Sequence, residues 1–180
     1  KDSQAYFCVK KPQDLVGLFP KTVDEIKARE KESFAFVDKA AADILAVPAQ
    51  ERTFKNTARV YDLLDLDLGP IYGGFEALKL LSPAKEMRDA AQQAMVNVSN
   101  YINEKLALNK AIYQAFKEYV DGNAKSETLS EDQVYFLDEV MSGFKRSGLN
   151  LPDAELEKVR KAIAELNDLG QQFEIGRAHV

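Results

Sequence analysis

Few residues in this chain can do chemistry. It holds one histidine, the penultimate residue His179, and one cysteine, Cys8. A lone histidine cannot supply a His-based zinc site, nor, at a terminus, a credible Ser-His-Asp triad. A lone cysteine excludes an internal disulfide and a multi-cysteine zinc site, and fits a reducing compartment. With no His partner, Cys8 reads as an inert thiol. Carboxylates are plentiful, Asp62, Asp65, Glu86, Asp89, Glu155 and Glu157 among them. On helices such residues form solvated faces with spaced ion pairs. A catalytic pair needs a pocket that drives two pKa values apart, and no such pocket is readable here.

Two stretches approach a calcium loop and fail it. Asp65-Leu66-Asp67 followed by Glu76 has Pro70 where the loop needs its glycine. Asp121-Gly122-Asn123 to Asp132 has Ser126 there. Gly69-Pro70-Ile71-Tyr72-Gly73-Gly74 is glycine-rich but lacks the Lys and Ser/Thr of a phosphate loop, and reads as a turn. Tyr61, Tyr72, Tyr101, Tyr113 and Tyr135 mostly stand at helical spacing beside Leu or Val, which predicts core packing before substrate contact. No residue is therefore assigned a catalytic, cofactor-binding or metal-ligating role.

These residues must sit on helices. The length of 180 residues suits one domain with a real core. The 46% hydrophobic and 29% charged content is that of an ordinary globular protein. A net charge of −5 argues against nucleic acid and against an anionic membrane surface as partner. No apolar run approaches the roughly 20 residues of a membrane span, and Ala5-Tyr6-Phe7-Cys8-Val9 is too short for a secretory signal.

Past Pro20 the apolar period is helical throughout. Thr22 and Glu25 form a capping box for a helix to Ala46, ended by Pro48, with Val23, Ile26, Phe34, Val37, Ala41 and Ile44 on one stripe. A second helix runs from about Gln50 to Leu66, with Phe54, Thr57, Tyr61, Leu64 and Leu68 on a face, and Gly69-Pro70 stops it. A short third spans Ile71 to Leu81. Ser82-Pro83 starts a fourth, to Leu106, with Met87, Ala91, Ala94, Val98, Ile102 and Leu106 as its stripe. Asn109 caps a fifth, to Val120. Ser130 and Gln133 box a sixth, and Gly148 stops it. A seventh starts at Asp153, with Leu156, Val159, Ile163, Leu166 and Phe173 at near-heptad spacing. The expected fold is all-α: a multi-helix antiparallel array of about seven helices, without a solenoid repeat.

Both ends look unnatural. Residues 1–20 form a poorly defined segment ahead of the helical region, 21–174. After Glu174 the stripe stops without a cap, and Ile175-Gly176-Arg177-Ala178-His179-Val180 reads as one frame of a common sequencing-library adapter, ATC GGA AGA GCA CAC GTC. The expectation is an appended tail over 175–180 that lies outside fold reasoning.

Three blocks carry a resemblance. Phe136-Leu137-Asp138-Glu139-Val140-Met141-Ser142-Gly143-Phe144-Lys145-Arg146-Ser147-Gly148-Leu149-Asn150-Leu151-Pro152 resembles a segment of the thimet oligopeptidase, neurolysin and oligopeptidase A family of zinc metallopeptidases, where a helix ends in a basic, small, Gly, Leu, polar, Leu, Pro string. Leu166-Asn167-Asp168-Leu169-Gly170-Gln171-Gln172-Phe173 is similar to the family's following helix, and Ser82-Pro83-Ala84-Lys85-Glu86-Met87-Arg88-Asp89-Ala90-Ala91 to an upstream helix start. Order and spacing agree over about Phe19 to Glu174.

The resemblance implies an N-terminal helical piece of a larger, channel-type enzyme that cuts short peptides, in the cytoplasm or an organelle matrix. In that family, zinc is held by two His of a His-Glu-x-x-His helix and a downstream Glu. None of these ligands can be carried over, because this sequence has no such motif. The implied role is channel wall. The implied partners are peptide substrates and the missing C-terminal catalytic half, and the chain alone is expected to be inactive and to bind no zinc. The alternative is a stand-alone helical interaction module that grips a partner helix in an apolar groove.

Overall fold

The computed structural model describes Lys11 and residues 19–178, with the backbone alone at 171, 172 and 174–178. The expectation for residues 1–20 therefore falls largely outside the described residues, as do Cys8 and His179. The described residues form an all-α array of six helices with short connections and no strand.

Helix α1 spans Val23–Ala46. Its N-cap is Thr22, whose Oγ1 accepts from Glu25 N at 3.2 Å. The other half of the expected box is shifted by one residue. The Glu25 carboxylate accepts from Lys21 N at 2.6 Å instead of from the cap itself. Ile26, Val37, Ala41 and Ile44 are buried, as the stripe predicts.

The connection then differs from expectation. A tight turn at Ala49–Glu51 and a wide π-turn at Phe54–Ala58 precede α2, which spans Arg59–Leu81. The π-turn has its own capping box. Asn56 N donates to Thr53 Oγ1 at 3.3 Å, and Thr53 N donates to Asn56 Oδ1 at 2.7 Å.

Gly69-Pro70 does not stop α2, and Gly69 to Gly74 is not a turn. The second and third expected helices are one, and Pro70 lies inside it. Proline removes one rung of the ladder, the N–H that the Leu66 carbonyl would accept. Leu66 stands on the outer side of the helix, where water can take that carbonyl. Buried Leu64, Leu68, Ile71 and Phe75 hold the two halves to one axis.

Helix α3 spans Lys85–Ile102. Ser82 does not cap it. Ser82 instead closes α2, its N–H donating to Leu78 O at 3.1 Å, and α3 starts from Ala84 without a side-chain cap. A π-turn at Asn103–Ala107 prolongs α3 and buries Leu106, as the stripe predicts. Helix α4, Lys110–Asp121, is capped by Asn109, whose Oδ1 accepts from Ala111 N at 2.9 Å. Helix α5, Glu131–Arg146, opens on the expected Ser130/Gln133 box, with both bonds made. Helix α6 spans Asp153–Ala178.

Packing divides into two apolar clusters that share α1 and α2. Ile26 of α1, Ile71 and Phe75 of α2, and Met87, Ala91, Ala94 and Val98 of α3 make one. Val37 and Ile44 of α1, Leu64 and Leu68 of α2, and Ile112, Phe116, Leu137, Phe144, Leu149 and Leu156 make the other. The start of α1 thus meets the end of α2, so the pair is antiparallel. Each large side chain so buried contributes about 1.5–3 kcal/mol.

Candidate functional site

Three of the expected surface carboxylates are ion-pair partners. Asp62 pairs with Arg59 at 2.5 Å, Asp89 with Lys85 at 2.5 Å, and Glu157 with Arg160 at 3.5 Å. Asp65, Asp67 and Glu76 lie on one continuous helix and cannot wrap an ion as a loop does. The described residues do not fit a catalytic zinc. Among them no three His, Cys, Asp or Glu side chains converge as a metal cluster would require.

The tyrosines divide by environment. Tyr61 meets Phe116 and Phe144 edge-on, with ring centroids 5.4 and 6.0 Å apart, and Tyr113 meets Phe144 at 5.9 Å. Burial, and then nearby Asp65, push the Tyr61 phenol up to about 12. Tyr101 stacks on Phe34 at 4.4 Å and donates to Asp38 at 2.7 Å. That hydrogen bond is the main reason its phenol is pushed up to about 12. Tyr72 is half-buried, its hydroxyl 3.5 Å from Met95 O. Tyr135 is the exception to core packing, at 69% exposed.

One polar cluster was not legible in the sequence. Arg52, 8% exposed, donates through Nη1 to Glu118, while its Nε has no hydrogen-bond partner. Glu127 accepts from Phe54 N at 3.0 Å and from the hydroxyl of fully buried Tyr119. Burial, and then Glu127, push that phenol up. Asn123 Nδ2 donates to Ala49 O and Arg52 O at 3.1 and 2.8 Å. Together these groups tie the α1–α2 connection to the end of α4. Apart from Tyr119 and Glu127, eight positions apart, the partners stand 66 to 74 positions apart in the chain, so no local pattern reveals them. Arg52 Nε aside, the cluster's polar side chains are committed to one another and to the backbone, which suits a brace better than a reactive centre.

The block that carries the resemblance is a helix stop. At the end of α5, Leu149 N donates to Phe144 O at 3.1 Å and Gly148 N to Lys145 O at 3.0 Å. This is the paired-bond arrangement that closes a helix through a left-handed glycine. Gly148 has φ +80, and a Cβ there would stand 2.9 Å from Leu151 Cδ1. Leu149 and Leu156 then drop into the core. Beside the stop, Lys110, Tyr113, Lys117, Asn150 and Leu151 line an open groove of about 550 Å³. Its two cations are engaged. Lys110 pairs with Asp153 at 2.5 Å, and Lys117 pairs with Asp121.

Fold and surface together define a helical scaffold braced at the α1–α2 connection, with an open groove beside its α5 stop. No family model matches the chain. Among curated proteins it is similar to a thimet-like oligopeptidase of Dictyostelium discoideum, 29% identical over 164 residues, which is 89% of this chain and 24% of that protein. It is 25% identical to oligopeptidase A of Escherichia coli over 121 residues, 67% of this chain and 18% of that protein. Mitochondrial intermediate peptidase of Mycosarcoma maydis matches 90% of the chain at 25% identity. The curated relatives are thus peptidases, and they include members of the oligopeptidase family that the three sequence blocks resemble. The chain spans about a quarter or less of the length of these relatives.

Proposed function

We propose that this chain is a scaffold portion of a zinc-dependent oligopeptidase, forming part of the wall of the channel in which short peptides are cut. The observation that carries the reading is the match to the thimet-like oligopeptidase, over 89% of this chain but 24% of that protein. The helical array supports it. A rigid wall needs regular helices braced at their connections, and the Arg52–Glu118 and Glu127–Tyr119 pairs supply the bracing. A narrow helical channel excludes folded proteins by size and keeps bulk water from the reaction.

Zinc enters this reading only as a group held elsewhere in a longer polypeptide, because the described residues do not fit it. Short peptides are the proposed substrates, and the cytoplasm or an organelle matrix the proposed compartment. No helix among the described residues is long and apolar enough to cross a membrane.

Two measurements test the reading. Extending the gene past the codon for Glu174 should reveal an in-frame His-Glu-x-x-His. A stop codon with no such motif would sink it. The purified 180-residue chain, supplied with zinc, should hydrolyse no quenched-fluorescent peptide. Robust chelator-sensitive turnover would place the active site within this chain and overturn the assignment.

A further inference from the structure

Helix α2 has more apolar surface than the two cores use. Leu64, Leu68, Ile71 and Phe75 occupy its buried side. A second line runs Leu63, Leu66, Pro70, Gly73, Ala77 and Leu80, in alternating steps of three and four. At about 100° per residue these positions keep to one stripe, with the spacing of a coiled-coil seam. The stripe faces outward. Leu63 is 37% exposed, Leu66 53% and Leu80 63%, and Leu81 beyond it 80%.

The shape of the stripe is that of a helix seat. Leucines stand at both ends and small residues in the middle. Nothing lies within 4 Å of where a Cβ would stand on Gly73, so another helix can approach closely there. Asp65, Glu76 and Lys79 project from the third side of α2, leaving the stripe free of charge along its length. A lipid surface is a poor occupant, because Asp62 and Asp67 border the stripe and the cation at its start, Arg59, is paired with Asp62.

The source of an occupant is indicated by length. The relatives matched here are covered only to 24% and 18% of their own length. A polypeptide of that size has several times this chain's length of further sequence to place against it. We propose that the Leu63–Leu80 stripe of α2 seats a helix from the remainder of the parent polypeptide, which would make α2 the joint between this array and the rest of the molecule. The proposal rests on the oligopeptidase reading above and adds to it the surface through which the two parts meet.

The test uses the polypeptide extended through its own gene, with the photo-crosslinker p-benzoylphenylalanine at position 66 or 80 and, as control, at position 76. Positions 66 and 80 should link to residues beyond 180 of the same molecule, and position 76 should not. The double variant Leu66→Lys with Leu80→Lys should leave the denaturation midpoint of the 180-residue chain unchanged and lower that of the longer polypeptide. Links between two copies, links confined to residues 1–180, or equal linking from position 76 would overturn the proposal. An extended gene that carries His-Glu-x-x-His but gives no such links defeats the joint alone. One that gives the links without the motif defeats the peptidase reading alone, and a gene with no further chain defeats both.

Discussion

Glu127 shows how much one side chain can hold. Its carboxylate is the acceptor for Phe54 N and for the Tyr119 hydroxyl, so it joins the loop after α4 both to that helix and to the π-turn before α2. Removing a shared acceptor leaves two donors without partners in a largely buried place, and the loss is the desolvation of those donors. We expect Glu127→Ala to lower unfolding stability by about 1–3 kcal/mol, and Glu127→Gln, which keeps an acceptor oxygen, to lower it by less. Urea titration separates the two, and equal losses would show that only the charge counts. A related effect acts through pH. Hydrogen bonds from Gln114 and Arg52 hold Glu118 below its ordinary 4.5, and Lys117 and Lys110 hold Asp121 and Asp153 below 3.8. A carboxylate whose folded pKa is depressed contributes stability above its unfolded value and loses it as pH falls through the folded one. Stability should therefore be level down to about pH 5 and decline below the 4.5 and 3.8 reference values. Glu118→Gln should flatten part of that decline in midpoint-against-pH measurements, and an unchanged acid limb would count against the Arg52–Glu118 pair.

At the scale of elements, Gly148 is where sequence and structure agree most closely. The positive φ is strained for any L side chain, and a Cβ would force Leu151 Cδ1, 2.9 Å away, to shift. Gly148→Ala should cost about 1–2 kcal/mol from the left-handed conformation alone, with further loss from displacing Leu151. The control is Gly143→Ala, at a helical position with nothing within 4 Å, which should be neutral or stabilising. Equal effects at the two glycines would remove the helix stop from the account. The stops and starts legible in the sequence, Asn109, Ser130 with Gln133, Gly148, and Pro48 after α1, share one cause: each acts through backbone groups within a few residues. The misread ones also share a cause. Pro70 marks a break by its own chemistry, yet Leu64, Leu68, Ile71 and Phe75 pack on both sides of it, and that burial outweighs one lost rung. Ser82-Pro83 has the composition of a helix start, but Ser82 N is already committed to Leu78 O at the end of α2. Tyr119 and Glu127 were invisible because their value lies in partners from other elements. For the same reason the three family-like blocks were legible while the brace between the α1–α2 connection and α4 was not.

The whole molecule behaves as one unit if its two cores are truly shared. Val37 of α1 and Phe75 of α2 sit in different clusters, at 0% and 1% exposed. The helices that carry them run unbroken through both clusters, α2 through Pro70. If α2 were two helices joined at Gly69-Pro70, the cluster of Ile71, Phe75 and α3 could melt separately from that of Phe116, Phe144 and Leu156. Continuity couples them, because one unbroken α2 carries Leu64 and Leu68 of one cluster and Ile71 and Phe75 of the other. A single transition is thus expected in urea, reported identically by circular dichroism and tyrosine fluorescence. Phe75→Ala should cost about 3–5 kcal/mol and Val37→Ala less, each moving that one transition while its slope stays constant. A second transition in Phe75→Ala, with the Tyr61, Phe116 and Phe144 cluster still folded, would mean that Pro70 divides the helix energetically even though it does not divide it in shape. The array would then be two units in series, and the α2 stripe could not act as a rigid joint.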